Sequence, residues 1–507
     1  MFYSKIIIPL IDNIKVFGDR QAFCINRQYY TYSEFGRAIS KIRDVLVSRD
    51  IHNKCIGLFV NDDLETYASV IALWLEDNCY VPLNKAWPKQ RCMDIINQTD
   101  ITILLDSSAV TSLEGVNVLN TSETNYISDS LDICFKPSGD QLAYILFTSG
   151  STGQPKGVQI SRDNIGFFMD SFWKTGIQVA ENDRCLQCFD LTFDVSIVSF
   201  LAPLTRGACC YTIPEGKVKY VYASTLIEDF KLTFAIFAPS MIRYLKPYYD
   251  EIDMSSLLTC ILTAEACPSS LLDDFMANAN NATVYNFYGP TETTIFCTYY
   301  MIKREEINKS YNGIISIGRT LSNVEGIIVD DSLNEVPMGT KGELCISGKQ
   351  VSKGYVNSLS KNKSSFFIRE KCGEAIRYYR TGDLCFEDDE GDILYSGRLD
   401  YQAKIQGYRV EMGEIEYHAS LFLDGCNVVA MPFENAQGFS EIALFIESKP
   451  FDIKGLDDYL RKNMPKYMLP SHYFFDSSFP LNDNGKVDKN LILRKVYGNN
   501  KENIKNN

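Results

Sequence analysis

Histidine is almost missing from this chain: among 507 residues only His52, His418 and His472 occur. Mechanisms built on clustered imidazoles are all but excluded, so chemistry has to rest on lysine, carboxylates, hydroxyls and backbone groups. Positive charge is also short. Lys and Arg number 50 against 64 Asp and Glu, a net charge of −14. Such a surface repels phosphate backbones, so nucleic acid is not an expected partner, although a local basic site for a small phosphorylated ligand stays compatible. No apolar run reaches the ~18 residues needed to cross a bilayer. The N-terminal Ile6-Ile7-Ile8-Pro9-Leu10 is interrupted by proline and followed by Asp12, which is not the pattern of a signal peptide. A cytoplasmic protein with no membrane partner is expected. A disulfide framework is absent as well. The 16 cysteines are irregularly spaced, Cys185-Leu-Gln-Cys188 has no second pair or histidine beside it, and Cys209-Cys210 and Cys260 lie in apolar runs. These read as buried, reduced thiols.

What is present is a globular composition: 45% apolar residues, 22% charged, with 30 Tyr and 30 Phe. The length allows roughly three domain-sized units. Short apolar runs alternate with amphipathic stretches through the first 300 or so residues. Cys55–Val60, Tyr80–Leu83, Ile101–Leu105, Phe234–Phe237 and Cys260–Thr263 read as strands, and Tyr67–Glu76 reads as a helix. This is the pattern of an α/β sheet with crossover helices. Beyond residue 310 or so, glycine and polar residues punctuate short strands such as Glu325–Val329 and Gly342–Gly348, which indicates a β-rich subdomain. A new unit begins near Asp400, with an amphipathic stretch at Ile415–Leu423 and a helix near Leu456–Asn463. The expected organisation is a large layered α/β domain over 1–399, a small α+β domain over 400–498, and a frayed tail over 499–507.

The densest motif is Thr148-Ser149-Gly150-Ser151-Thr152-Gly153-Gln154-Pro155-Lys156-Gly157, fed by the apolar run Tyr144–Phe147. Glycines let backbone N–H groups converge on an anion, hydroxyls add donors, and Lys156 supplies charge. Lys156 precedes Gly157, so the spacing is not that of a Walker A loop, and the apolar Val158-Gln159-Ile160 predicts a strand rather than a helix after it.

This loop resembles the phosphate loop of the acyl-adenylate-forming superfamily, which includes acyl-CoA synthetases, luciferases and peptide-synthetase adenylation domains. Further stretches resemble the same family in the same order. They are Asn286–Thr294, Gly342-Glu343-Leu344, Tyr379–Leu384, Gly397-Arg398-Leu399-Asp400, Gly413–Glu416 and Asn484-Gly485-Lys486-Val487-Asp488. With Val81-Pro82-Leu83, the resemblance spans about residues 30–490. It implies ATP and Mg²⁺ as cofactors, with Thr148–Gly153, Lys156, Ala264, Glu265, Asn286, Phe287, Tyr288, Thr291, Asp383 and Arg398 around the nucleotide. An aromatic face at Tyr288 can stack on adenine, Thr291 can donate to phosphate, and Glu292 suits a hard cation. Asp383 can accept ribose hydroxyls, and Arg398 offers a planar cation nearby. By the same resemblance, Lys486 bridges the substrate carboxylate and the α-phosphate, and Asp400 is the hinge of a mobile small domain.

Asp194, in Phe193-Asp194-Val195-Ser196, is a carboxylate in an apolar run, costly to bury unless paired. In family members that activate amino acids, the matching aspartate binds the α-amino group. The other positions implied to line the acid pocket are Val195, Val198, Phe237, Leu262, Ala264, Phe287, Ile295 and Phe296, all apolar. The expected substrate is therefore a small apolar amino acid. The chain is also similar to freestanding D-alanine–carrier-protein ligases, but Ala264 stands where those carry a cysteine. Ala403 and Gln406 depart from the family's usual Val and Arg. Too few residues follow Lys489 for a carrier domain, so a carrier protein with a phosphopantetheine arm is expected to act in trans. A carboxylic acid–CoA ligase and an inactive nucleotide-binding homologue are the competing readings. Asp194 weighs against the first, and Lys486, Glu292 and Asp383 against the second.

Overall fold

The computed structural model describes residues 1–108, 113–123, 131, 139–150, 154–399, 402–435, 439–480, 487, 489 and 491–492. The chain separates into two compact units, Met1–Thr148 with Lys156–Asp400, and Ser149–Pro155 with Tyr401–Asn507.

The first unit is built on two large sheets and a smaller one. In the larger sheet, Thr283–Tyr288, Thr259–Leu262, Phe234–Phe237, Arg184–Gln187, Cys209–Thr212 and Gln21–Ile25 are consecutive parallel neighbours. These strands are nearly continuous apolar runs, as burial on both faces requires. Antiparallel strands complete the sheet: Thr298–Ile302 and then Arg319–Thr320 on one side, Gln28–Thr31 on the other. The second sheet runs Gly354–Tyr355, Lys156–Ser161, Leu142–Thr148, Cys79–Leu83, Cys55–Phe59, Ile103–Asp106 and Asn117–Asn120. Leu142–Thr148 and Lys156–Ser161 pair antiparallel, so a strand does follow the hydroxyl-rich stretch.

Local signals set the helices between these strands. Tyr32–Ser48 starts at a capping box of Thr31 and Glu34, and Arg162–Trp173 at one of Ser161 and Asn164. Leu64–Leu75 is capped by Asp63 and is buried at all but one position, as its apolar composition demands. Trp74 is fully buried there, and its indole N–H donates to Ala143 O at 2.9 Å. The third sheet is antiparallel: Val324–Val329, Gly342–Gly348, Glu374–Glu387 and Phe366–Lys371 lie side by side, with Ile393–Arg398 against Glu374–Glu387.

The second unit has its own core, including Val410, Ile415, Leu444, Leu456 and Met468. The hairpin Gln402–Ile405/Tyr408–Glu411 turns on Gln406 (φ 50°) and Gly407 (φ 83°). Two left-handed residues in succession make the turn that matches strand twist. The helix Met412–Phe422 and the helix Lys454–Asn463 accompany a sheet of Val428–Glu434, Ser440–Glu447 and His472–Asp476. The mixed α/β class and the β-rich subdomain are as the sequence predicts.

Candidate active site

Asp383 lies mid-strand in Glu374–Glu387, opposite Arg398 on the neighbouring strand. Its Oδ1 accepts from Arg398 Nη1 at 2.7 Å and its Oδ2 from the Tyr288 hydroxyl at 2.5 Å. Burial pushes the Tyr288 hydroxyl well above its ordinary pKa, so it stays a donor. The motif around Asp383 is braced from the adjacent strand. Glu343 accepts two bonds from Arg380, at 2.8 and 2.6 Å, and one from Gly382 N at 2.9 Å, while Thr381 Oγ1 donates to Leu344 O. Gly342-Glu343-Leu344 and Tyr379–Leu384, separate motifs in the sequence, are thus one hydrogen-bonded structure. A carboxylate has about four lone-pair sites. Two on Asp383 are used by Tyr288 and Arg398, leaving room for two diol hydroxyls.

The strand Thr283–Tyr288 leads into a turn that holds Glu292. Gly289 is required there: a Cβ would meet Ile295 O at 2.4 Å and Phe296 Cα at 2.6 Å. Thr294 (φ 60°) and Ile295 (φ 69°) are consecutive β-branched residues in the left-handed region, a conformation that costs about 1–3 kcal/mol each. Contacts far along the chain sustain it. Thr294 Oγ1 donates to Gln350 O, Gln350 Nε2 donates to Phe296 O at 2.7 Å, and Ser352 N donates to Glu292 O at 2.8 Å. Glu292 itself is 1% exposed, and its Oε1 accepts from the Tyr355 hydroxyl at 2.7 Å. Gln350, Ser352 and Tyr355 are not among the sequence-predicted site residues.

Asp194 precedes the buried helix Val195–Leu204 and makes no side-chain cap to it. It is 8% exposed, and its Oδ2 is buried with no hydrogen-bond partner. Burial pushes this carboxyl up to about 7. The Thr291 hydroxyl and the Ile295 and Val195 amides pull the other way, and the nearby negative charge of Glu292 adds to the rise. The sequence-predicted groups Asp194, Thr291, Glu292 and Ile295 therefore share one neighbourhood.

Residues 10–356 match the AMP-binding enzyme family. The chain belongs to that family. Among relatives, a linear gramicidin synthase of Brevibacillus parabrevis is 30% identical over 489 residues, which is 94% of this chain but 9% of the synthase. The fold is that of solved adenylation domains. The adenylation domain AlmE of Vibrio cholerae, solved with glycyl-adenosine-5'-phosphate, has a TM-score of 0.85 at 23% identity, over 97% of each chain. PA1221, a peptide-synthetase protein containing adenylation and PCP domains, has a TM-score of 0.84 at 21% identity, over 98% of this chain and 85% of its own.

Most of the other sequence-predicted positions of this AMP-binding enzyme are interior. Val195, Val198, Phe237, Leu262, Phe287, Ile295 and Phe296 are buried, and Ala264 is half-buried with φ 69°. Phe287 and Phe296 pack at 5.0 Å between ring centroids, and Phe168 lies 5.9 Å from Phe296. Tyr288 packs its ring in a cluster with Cys297, Ile317 and Leu344. Asn286 is buried, and its Nδ2 donates to Ser316 O at 2.9 Å. Both carboxylate oxygens of Glu265 are engaged by Ser240, at 2.8 Å from its N and 2.9 Å from its Oγ, at the start of the helix Pro239–Leu245. Thr148 and Lys156 face each other across a strand pair. Ser149 and Gly150 group with the second unit. There Ser149 Oγ donates to Arg409 O and accepts from Glu411 N, and Gly150 N donates to Glu414 Oε2. Ser151, Thr152, Gly153, Asp400 and Lys486 lie outside the described residues.

Proposed function

We propose that this AMP-binding enzyme activates a small apolar amino acid with ATP, forming the aminoacyl-AMP and pyrophosphate, and passes the acyl group to the phosphopantetheine thiol of a separate carrier protein with release of AMP. The observation that carries this reading is Asp194: a buried carboxylate with one oxygen lacking any partner, beside Thr291 and Glu292. A group in that state is short of a cation, and the α-ammonium of an amino acid supplies one. The buried phenylalanines around Phe287 and Phe296 leave polar side chains without partners and limit volume, which supports the small apolar class. The glycyl adenylate bound by AlmE is consistent with that size.

In this reading the ammonium pairs with Asp194, which turns the substrate carboxylate toward the α-phosphate. A carboxylate oxygen attacks phosphorus and the bond to pyrophosphate breaks. Asp383, held by Arg398 and Tyr288, accepts the ribose hydroxyls. Thr291 donates to a phosphate oxygen, and Lys486 neutralises the charge gathering between the two anions. Glu292 fits Mg²⁺: it is a single buried carboxylate held in orientation by Tyr355, and Mg²⁺ takes one or two carboxylates alongside nucleotide phosphates. When bound, that cation supplies charge neutralisation at the triphosphate. The likeness to the PCP-containing PA1221 supports a carrier as acceptor.

The test is ATP–pyrophosphate exchange across amino acids, fatty acids and aryl acids. Exchange led by glycine- or alanine-sized amino acids is expected. Exchange with fatty or aryl acids alone would establish a carboxylic acid–CoA ligase instead, and no exchange with any acid would mark a homologue without activity.

A further inference from the structure

Two cysteines away from the candidate active site are placed to react with each other. Cys55 opens the strand Cys55–Phe59 and Cys79 opens Cys79–Leu83; the strands run parallel and put Cys55 directly opposite Cys79. Opposed residues on neighbouring strands point to the same face about 4.8 Å apart. That separation lies within the roughly 4.4–6.8 Å that a disulfide spans between Cα atoms. Cys55 is half-buried and Cys79 buried, and both line a cavity of about 330 Å³ that also carries Lys54, Asp77, Gln141 and Lys353. Asp140 lines it too and pairs with Lys353 at 2.9 Å, and the polar cavity gives small oxidants access to Cys55.

We infer that Cys55 and Cys79 form a modification site: a dithiol that hydroperoxides convert reversibly to a disulfide across the two strands. The pair is chemically asymmetric. The hydrogen bond from Cys79 lowers the Cys55 pKa below its ordinary value, and burial raises that of Cys79. Cys55 thiolate attacks the terminal oxygen of the hydroperoxide, the O–O bond breaks, and the leaving alkoxide takes a proton to become an alcohol, or water from hydrogen peroxide. Cys55 is then a sulfenic acid, oxidised by two electrons. Cys79 loses its proton and attacks the Cys55 sulfur. The S–O bond breaks, the departing hydroxide takes that proton as water, and the disulfide forms. A thiol reductant reverses it by exchange.

The experiment treats the full chain with hydrogen peroxide, alkylates the remaining thiols and maps the peptides by mass spectrometry. A linked Cys55–Cys79 peptide is expected, lighter by about 2 Da than its two reduced halves and lost on dithiothreitol treatment. The exposed Cys372 and half-buried Cys426 are internal references and do not join that link. In Cys79→Ser, Cys55 accumulates as a sulfenic acid trapped by dimedone. In Cys55→Ser, Cys79 stays reduced at the same dose. The proposal is overturned if wild-type Cys55 stays reduced while Cys372 oxidises, or if it runs on to sulfinic acid with no linked peptide. Because the wild-type chain alone decides this, a variant that folds poorly leaves the result intact.

Discussion

Asp383 and Asp194 are both buried aspartates of one unit, and their surroundings differ in kind. Asp383 has a partner on each oxygen, Arg398 and Tyr288, and the strands around it are cross-braced by Glu343 and Arg380. Asp194 has a partnerless oxygen, an apolar helix behind it and Glu292 as a negative neighbour. A satisfied carboxylate is ready to accept hydroxyl protons from a neutral diol without needing a new charge. An unsatisfied one is completed only by a cation. The same residue type thus serves a sugar in one place and an ammonium in the other, and the protein's own hydrogen bonds decide which.

The sharpest way to break this contrast is Asp194→Asn. An ammonium left against an amide forfeits about 3–5 kcal/mol of pairing, so kcat/KM for the amino acid should fall by roughly two to nearly four orders of magnitude while the KM for ATP holds. Exchange kinetics varied in each substrate would check this, and an equal loss for ATP would erase the distinction. Without substrate, the same variant should be more stable. The folded pKa of Asp194, about 7, lies above the ordinary carboxylate value, so ionisation costs stability as pH rises from the unfolded pKa through 7. Thermal melts at pH 8 should put the Asn variant a few °C above wild type, and the gap should vanish in strong acid.

Tyr355→Phe probes the strained turn. It removes the hydroxyl bonded to Glu292 Oε1, and bonds to charged groups are worth about 1.5–3 kcal/mol. The Mg²⁺ concentration for half-maximal exchange should rise about 10- to 100-fold, with the KM for amino acid little changed. An unchanged Mg²⁺ requirement would detach Tyr355 from that role.

Acidity separates the two aspartates again. Below about pH 7 the free enzyme protonates Asp194, and an ammonium then has no anion to meet. The KM for the amino acid should therefore climb about fivefold between pH 7 and 6 and about tenfold per pH unit below that, with the KM for ATP flat. Tyr288→Phe is the mildest change, since Arg398 still holds Asp383. An increase of roughly five- to tenfold in the KM for ATP, corresponding to about 1 kcal/mol, is the expected readout, with the amino-acid KM unmoved.

The fold is more legible in the sequence than the site's support. The strands Phe234–Phe237 and Gly342–Gly348 stand at their expected bounds because apolar runs between turn residues carry a local signal. Asp194 is visible as a lone acid in an apolar run. Gln350, Ser352 and Tyr355 are not, because their role is to hold a turn some fifty residues earlier in the chain, and no local pattern encodes that pairing. Glu265 and Asn286 show the same limit from the other side: tertiary neighbours Ser240 and Ser316 occupy them. Likewise the Tyr288 ring is legible as an aromatic, whereas the bond its hydroxyl makes to Asp383 depends on a strand 95 residues away.

The central claim is that Asp194 recognises an amine, and the most direct measurement compares exchange supported by alanine with exchange supported by propionate, its desamino analogue, in wild type and Asp194→Asn. Wild type should prefer alanine by on the order of 10²-fold or more, and the Asn variant should lose most of that preference. Equal exchange with alanine and propionate in the wild-type enzyme would contradict the account.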